Sequence, residues 1–377
     1  MSAYANATSG AVPARRPRAP DLAHYARAEP ALCWLFDALA RRVEVRGVAG
    51  LGWLDLLRLA AGREGYDPLH PRVVPRLPWG AVWRPGFHGA LLRPLARAAG
   101  TVIFTRPDQA PLLPEFRGCR VIYYAADDYA RYGTGSLAEE RALVRAAAQV
   151  ICVSAELARR IGERHGLPAK HIAVSPNGVP AAWIPPDCPG VPSRLPEGLA
   201  EKRPLAGVIG RVSSRIRLDW LVRAVEALPW LHFLFVGDVE PEELAAADAP
   251  LLRQLRANPR CTFVGRRPYK RLPGFAAALD VALLPFSAES VNPAGSAMRF
   301  FLQLPFGTPI LATPGCLQLE EQGDLLTLCR GPGELVGALE TLRAAGFEDS
   351  RRHARWAASR LHTWEARADT LLPLIER

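Results

Sequence analysis

Seven prolines fall between residues 180 and 204, at positions 180, 185, 186, 189, 192, 196 and 204. Each removes a backbone N–H and fixes φ, so neither a helix interior nor a central strand tolerates that density. The stretch reads as a stiff connector. It divides 377 residues into two units of ordinary domain size.

On either side of it the hydrophobic pattern alternates between strand and helix. Before it, short β-branched and aromatic runs predict strands over 101–105, 120–124, 150–153 and 172–175, with helices over 136–148 and 155–165 between them. Earlier still, 31–40 reads as helical and 43–48 as strand, and the Pro- and Trp-rich stretch 68–85 reads as irregular. After the connector the pattern restarts, with strands over 205–209, 232–236, 262–264, 281–285 and 309–312. Helices are expected over 218–227, 242–256, 272–278, 297–304, 333–344 and 351–375. Such alternation predicts parallel sheets covered on both faces, hence an α/β chain with two Rossmann-like domains. The boundaries drawn are a loose Ala-, Pro- and Arg-rich tail over 1–20, a first domain over 21–182 completed by a C-terminal helix over about 352–377, a linker over 183–204, and a second domain over 205–351.

Composition excludes several classes. Apolar residues make up 49% and charged residues 22%, too apolar for a disordered chain. No apolar run reaches the roughly 18 residues that span a bilayer. The N-terminus lacks the apolar core of a signal peptide. The seven cysteines show no CxxC pair and no close Cys/His spacing, so a zinc site or disulfide framework is not expected and a cytoplasmic location fits best. The net charge of +10 is uneven. Residues 1–195 hold 25 Lys and Arg against 16 Asp and Glu, and residues 196–377 hold 22 against 21. The basic half suits an anionic partner or an acidic membrane surface, or is a solvated Arg-rich surface.

Four stretches could carry chemistry. Gly207-Val-Ile-Gly210-Arg211 follows a strand, with Arg215 and Arg217 behind it. Glycines there let the backbone approach a phosphate, and arginine binds phosphate bidentately; a tight turn with surface arginines is the plain reading. Residues 290–299, SVNPAGSAMR, follow a buried strand and are expected to open a helix near Ser296, whose unpaired amides would attract an anion. Asn292 and Ser296 could offer hydrogen bonds there, or Ser296 could simply cap the helix. Asp127 and Asp128, in YYAADDY, lie at the carboxyl end of a strand, where α/β sheets bind ligands. They could orient hydroxyls, take a proton, or cap the next segment. Ser175-Pro-Asn177-Gly178-Val179 is expected to turn with Gly at positive φ. His88 is a possible catalytic residue and, read plainly, a packing one. No basic–aromatic stripe for nucleic acid is present.

Taken in order, YYAADDY, Glu139/Glu140, QVICVSAELARRI and SPNGV, then GVIGRVSSRIRLDWLVRAV, FLFVGDV, TFVGRRPYKRLPGFAAALDVALLPF and FFLQLPFGTPILAT, resemble consecutive blocks of the retaining glycosyltransferase group 1, the family 4-like enzymes of the GT-B fold. The resemblance covers residue 100 to the C-terminus. It implies two domains facing each other across a cleft, with a nucleotide sugar held by the second and a hydroxyl acceptor by the first. It places Gly210 and Arg211 on the phosphate side, Gly265, Arg266 and Arg267 near the nucleobase, and Asn292, Ser296, Ala297, Met298 and Arg299 around the diphosphate. Where the family often carries two Glu, this chain has Gly295 and Leu302.

The expected activity is transfer of a hexose-type unit with retention, Asp127, Asp128 and His88 being the catalytic candidates. The expected cofactor set is empty: the nucleotide sugar is a co-substrate and no metal is required. The expected acceptor is a hydroxyl compound, anionic or lipid-linked if the basic half contacts it, with peripheral membrane contact through that half and no nucleic acid. The alternatives are a nucleotide-sugar-processing enzyme on the same fold, such as an epimerase, and a catalytically silent binding protein.

Overall fold

The computed structural model describes residues 21–26, 30–51, 72–75, 85–132, 137–190, 198–239, 244–288 and 291–376. Its strands form two parallel sheets of matching order. In the first, β1 (Asp21–Ala26), β2 (Val45–Leu51), β3 (Arg72–Pro75), β4 (Thr101–Phe104), β5 (Arg120–Ala125), β6 (Gln149–Cys152) and β7 (Ile172–Val174) lie in the order β3-β2-β1-β4-β5-β6-β7. In the second, β8 (Leu205–Ile209), β9 (His232–Val236), β10 (Cys261–Gly265), β11 (Val281–Leu284), β12 (Ile310–Ala312) and β13 (Thr327–Leu328) lie in the order β10-β9-β8-β11-β12-β13. Each sheet runs outward from its first strand in both directions. This creates a switch point, between β1 and β4 in one and between β8 and β11 in the other, where open α/β sheets hold ligands.

The helices are α1 (Pro30–Ala40), α2 (Pro85–Ala98), α3 (Leu137–Ala146), α4 (Ala155–His165), α5 (Leu218–Ala227), α6 (Asp248–Ala257), α7 (Leu272–Ala278), α8 (Met298–Gln303), α9 (Pro332–Ala344), α10 (Arg352–Leu361) and α11 (Trp364–Glu376). Their local causes are legible. α4 starts where the Ser154 hydroxyl accepts the Leu157 N–H at 3.0 Å, and stops at Gly166, which takes the left-handed conformation. Its apolar stripe, Leu157 and Ile161, is fully buried. The central strands β8 and β11 are buried along their whole length, as strands covered on both faces must be.

Several expectations are corrected. The stretch 68–85, expected to be irregular, contributes the edge strand β3, where a terminal proline costs no ladder bond. α2 and β1 were not anticipated; α2 carries Pro94, which breaks the periodic signal. The helix expected over 242–256 begins only at Asp248. The helix expected over 351–375 is two helices, divided at His362 and Thr363. The first of them, α10, packs on the Leu304–Phe306 turn of the second unit, and only α11 returns to pack on α1 of the first. Arg355 of α10 is fully buried and fixes this placement, bonding the carbonyls of Gly307 and Leu325 and the carboxylate of Asp349.

The chain crosses between units twice, and the crossings touch. Val179 pairs with Thr363 as an isolated parallel bridge, the Val179 N–H reaching His362 O at 2.9 Å and the Trp364 N–H reaching Val179 O at 3.1 Å. Gly178 is required here for a different reason than expected. It has no positive φ, but a Cβ on it would lie 2.9 Å from His362 O and 3.1 Å from the Trp364 nitrogen. The described part of the connector lies along α10, held by Trp356 Nε1 to Pro185 O at 3.0 Å and Arg360 to Pro186 O at 3.3 Å. Aromatic rings fill the seam: Trp34 of α1 meets Trp183 edge-on at 5.2 Å and Tyr269 edge-on at 5.3 Å.

Candidate active site

The carboxyl ends of β8 and β11 are stitched together. The Arg217 N–H donates to Pro285 O at 2.7 Å and the Ser287 N–H to Arg215 O at 2.9 Å, around an antiparallel bridge between Ile216 and Phe286. This brings the Gly210–Arg217 loop and the Phe286–Ala297 loop side by side at the switch point. Gly210 has φ +125, and a Cβ on it would lie 2.7 Å from Arg299 Nε. Only glycine permits both the backbone conformation and the approach of that guanidinium.

Arg299 and Arg211 are therefore neighbours. Arg299 donates from Nη2 to the Arg211 carbonyl, and its guanidinium lies 5.6 Å from the Phe286 ring centroid. Its Nη1 is buried with no hydrogen-bond partner. Burial, followed by the like charges of Arg215 and Arg211, pushes the Arg299 guanidinium down to about 9. An under-neutralised cation of this kind is what a bound anion relieves.

Arg215 is aimed by Asn292. Its Nε donates to Asn292 Oδ1 at 2.9 Å, while Asn292 Nδ2 donates to Arg215 O at 2.7 Å and Ser287 O at 2.9 Å. Asn292 is 1% exposed. It is thus an internal clamp, and the expectation that it contacts a diphosphate directly is corrected. Ser296 is corrected likewise. Its hydroxyl donates to Gln318 Oε1 at 3.0 Å and accepts the Asn177 N–H at 2.9 Å. Two of the amides at the start of α8 are paired: the Ala297 N–H goes to Gln318 Oε1 at 3.0 Å and the Met298 N–H to Ser296 O at 2.8 Å. Ala297 is buried in the second core and Met298 packs against both cores, so both serve packing. Leu302, standing where the resembled family often has Glu, is a core side chain.

Arg217 leaves the cluster. It makes a two-point contact with Asp219, 2.9 and 2.6 Å, and lies 5.0 Å from the Trp220 centroid. Gly265 ends β10 at φ +68 with open space beside it, and Arg266 sits 4.0 Å from Asp238 at the end of β9. Gly265 and Arg266 lie two strands out from Gly210 along the same sheet edge, and Asp238 one.

From the first unit, Asp127 reaches across to Arg215 at 3.9 Å. Asp128 does not join it. At 1% exposure it pairs with Arg160 at 3.2 Å and Arg164 at 2.8 Å, and Arg164 continues to Glu140 at 2.7 Å. A carboxylate so enclosed holds the Asp127–Tyr129 turn onto α4, and its candidacy as a catalytic group is withdrawn. His88 falls within α2, and its side chain lies outside the described residues. Ser154 and Gln318 carry no sequence signal as site-supporting groups, and Asn177 reads only as part of a turn; they act across 22 to 140 residues of chain, and no local spacing announces it.

The profile of Glycosyltransferase Family 4 matches residues 35–183. No curated protein matches the sequence. Among solved structures, HepE of Anabaena with UDP and glucose is 19% identical, TM-score 0.68, covering 94% of this chain and 99% of that one. A glycosyltransferase of Rickettsia africae is 11% identical, TM-score 0.67, covering 95% and 98%. The UDP-forming trehalose-phosphate synthase of Burkholderia xenovorans, with glucose-6-phosphate, is 12% identical, TM-score 0.63, covering 96% and 100%. At these TM-scores and coverages the likeness is one of fold over nearly the whole chain. No helix among the described residues is long and apolar enough to cross a membrane. With this architecture over nearly all its length, the chain has the two-domain GT-B fold, and its first unit is similar to Glycosyltransferase Family 4.

Proposed function

We propose that the chain transfers a sugar from a nucleoside-diphosphate donor, held at the second switch point, to a hydroxyl acceptor at the carboxyl edge of the first sheet, with retention at the anomeric carbon. One observation carries this reading: the buried, partnerless Nη1 of Arg299, beside the charges of Arg211 and Arg215. Negative charge grows on the departing diphosphate as the glycosidic bond breaks, and preorganised cations stabilise it without reorganising. The arginines would fill that role with no bound metal. Gly265 and Arg266, further along the edge, are the groups placed to meet the nucleobase. Asp127, facing Arg215, is the first-unit group placed to accept a hydrogen bond from an acceptor hydroxyl. The positive charge of the first half suits an anionic acceptor, soluble or lipid-linked.

UDP is the nucleotide to try first, because HepE was solved with UDP and with UDP-glucose. Calorimetry with UDP, GDP and ADP is expected to find one that binds. Arg299→Ala should weaken it about 10- to 100-fold, the worth of one charge-assisted hydrogen bond or two. Unchanged binding in Arg299→Ala would overturn the site. Turnover of nucleotide sugar without any acceptor would replace transfer by epimerisation. The product's anomeric configuration, read by NMR, tests retention.

A further inference from the structure

The turn that aims Arg215 and leads into Arg299 is gripped by the first unit. Residues 291–297 link the β11 edge to α8. Within this turn Asn292 aims Arg215, and Arg299 follows two residues after it. Ser154, at the start of α4, donates its hydroxyl proton to Ala294 O at 2.6 Å while still accepting the Leu157 N–H. Asn177 donates from Nδ2 to Ser296 O at 2.9 Å, and its backbone N–H goes to Ser296 Oγ at 2.9 Å. Ala294 is fully buried, and its side chain belongs to the first unit's core. Behind Asn177 stands α11, whose Arg367 contacts Asn177 O at 3.4 Å and donates to His362 Nδ1 at 2.7 Å. Burial, then the charge of Arg367, pushes His362 down to about 4, so the ring is neutral and free to accept.

Arg211, Arg215 and Arg299 repel one another, and α8, only six residues long, is too short to hold Arg299 against that repulsion by itself. Contacts within the unit, from Arg299 to the Arg211 carbonyl and from the Ala297 N–H to Gln318, are joined by restraint from outside it. We propose that Ser154 and Asn177 are positioning residues for the donor site: docking of the first unit onto the 291–297 turn sets Arg215 and Arg299, and the anion site is complete only in the docked state. This rests on the donor reading above.

The test is UDP binding by calorimetry on the full chain, with thermal unfolding alongside. Asn177→Ala removes the Nδ2 bond and keeps the backbone one. It is expected to weaken UDP about fivefold. Ser154→Ala should do the same and Ser154→Thr, which keeps both hydroxyl bonds, should restore it. Because Ser154→Ala also uncaps α4, Asn177→Ala is the deciding variant. In an Arg299→Lys background, where the aimed guanidinium is gone, the effect of Asn177→Ala should fall below twofold. UDP affinity within twofold of the parent for Asn177→Ala, whatever its unfolding temperature, overturns the proposal, as does an equal loss in both backgrounds. If the parent binds UDP and Asn177→Ala binds it equally, only this inference falls; if the parent binds none of UDP, GDP and ADP, the donor reading falls and takes the inference with it.

Discussion

The two sheets share one strand order, yet they treat charge at their carboxyl edges in opposite ways. Beyond β5, the first unit encloses Asp128 and Glu140 with Arg160, Arg164 and His165 within 3.2 Å, so each carboxylate faces an arginine although Glu140 Oε1 has no hydrogen-bond partner. Beyond β8 and β11, the second unit gathers three arginines and leaves a buried guanidinium nitrogen of one without a partner. Burying a charge costs several kcal/mol unless it is paired, so a matched cluster is a structural device and an unmatched one implies a missing ligand. Topology alone does not separate the two edges; the local charge count does.

Three substitutions probe that contrast. The largest effect is expected from Asp128→Ala, which takes a shared carboxylate from Arg160 and Arg164 and leaves them Glu156 and Glu140. It should cost about 1–3 kcal/mol of stability by denaturant unfolding, with nucleotide affinity of the folded fraction unchanged. A loss under 1 kcal/mol would show that the first cluster is not what holds the turn onto α4. Next is Arg299→Met. Removing a buried cation from among like charges should leave stability unchanged or raise it by about 1 kcal/mol, in contrast to its effect on UDP. A destabilisation comparable to that of Asp128→Ala would erase the difference between the edges. The smallest is Arg217→Ala. With its guanidinium on Asp219, half in solvent, it should change stability by less than about 1 kcal/mol and UDP affinity by less than twofold. A tenfold loss would return Arg217 to the site.

How far the chain could be read in advance differs by element. β4 to β6 and β8, β9 and β11 were legible because strands buried on both faces read as nearly unbroken apolar runs. β3 was not, since an edge strand of four residues among prolines carries little pattern. The turn at Gly210 was legible because a glycine closing a strand suits the positive φ that it takes. The roles of Asn292 and Ser296 were misread. Their residue types suit ligand contact and internal clamping equally, and the partners that decide between the two, Arg215, Gln318 and Asn177, are 77, 22 and 119 residues away.

The sequence alone determined the two α/β halves, the connector and the uneven placement of positive charge, because periodicity, proline density and charge are local properties that survive without a fold. Tertiary structure decided which charges are matched and which are not. Matching depends on distances of a few ångströms between residues remote in the chain, and the electrostatic cost of burial appears only once water has been excluded from around them.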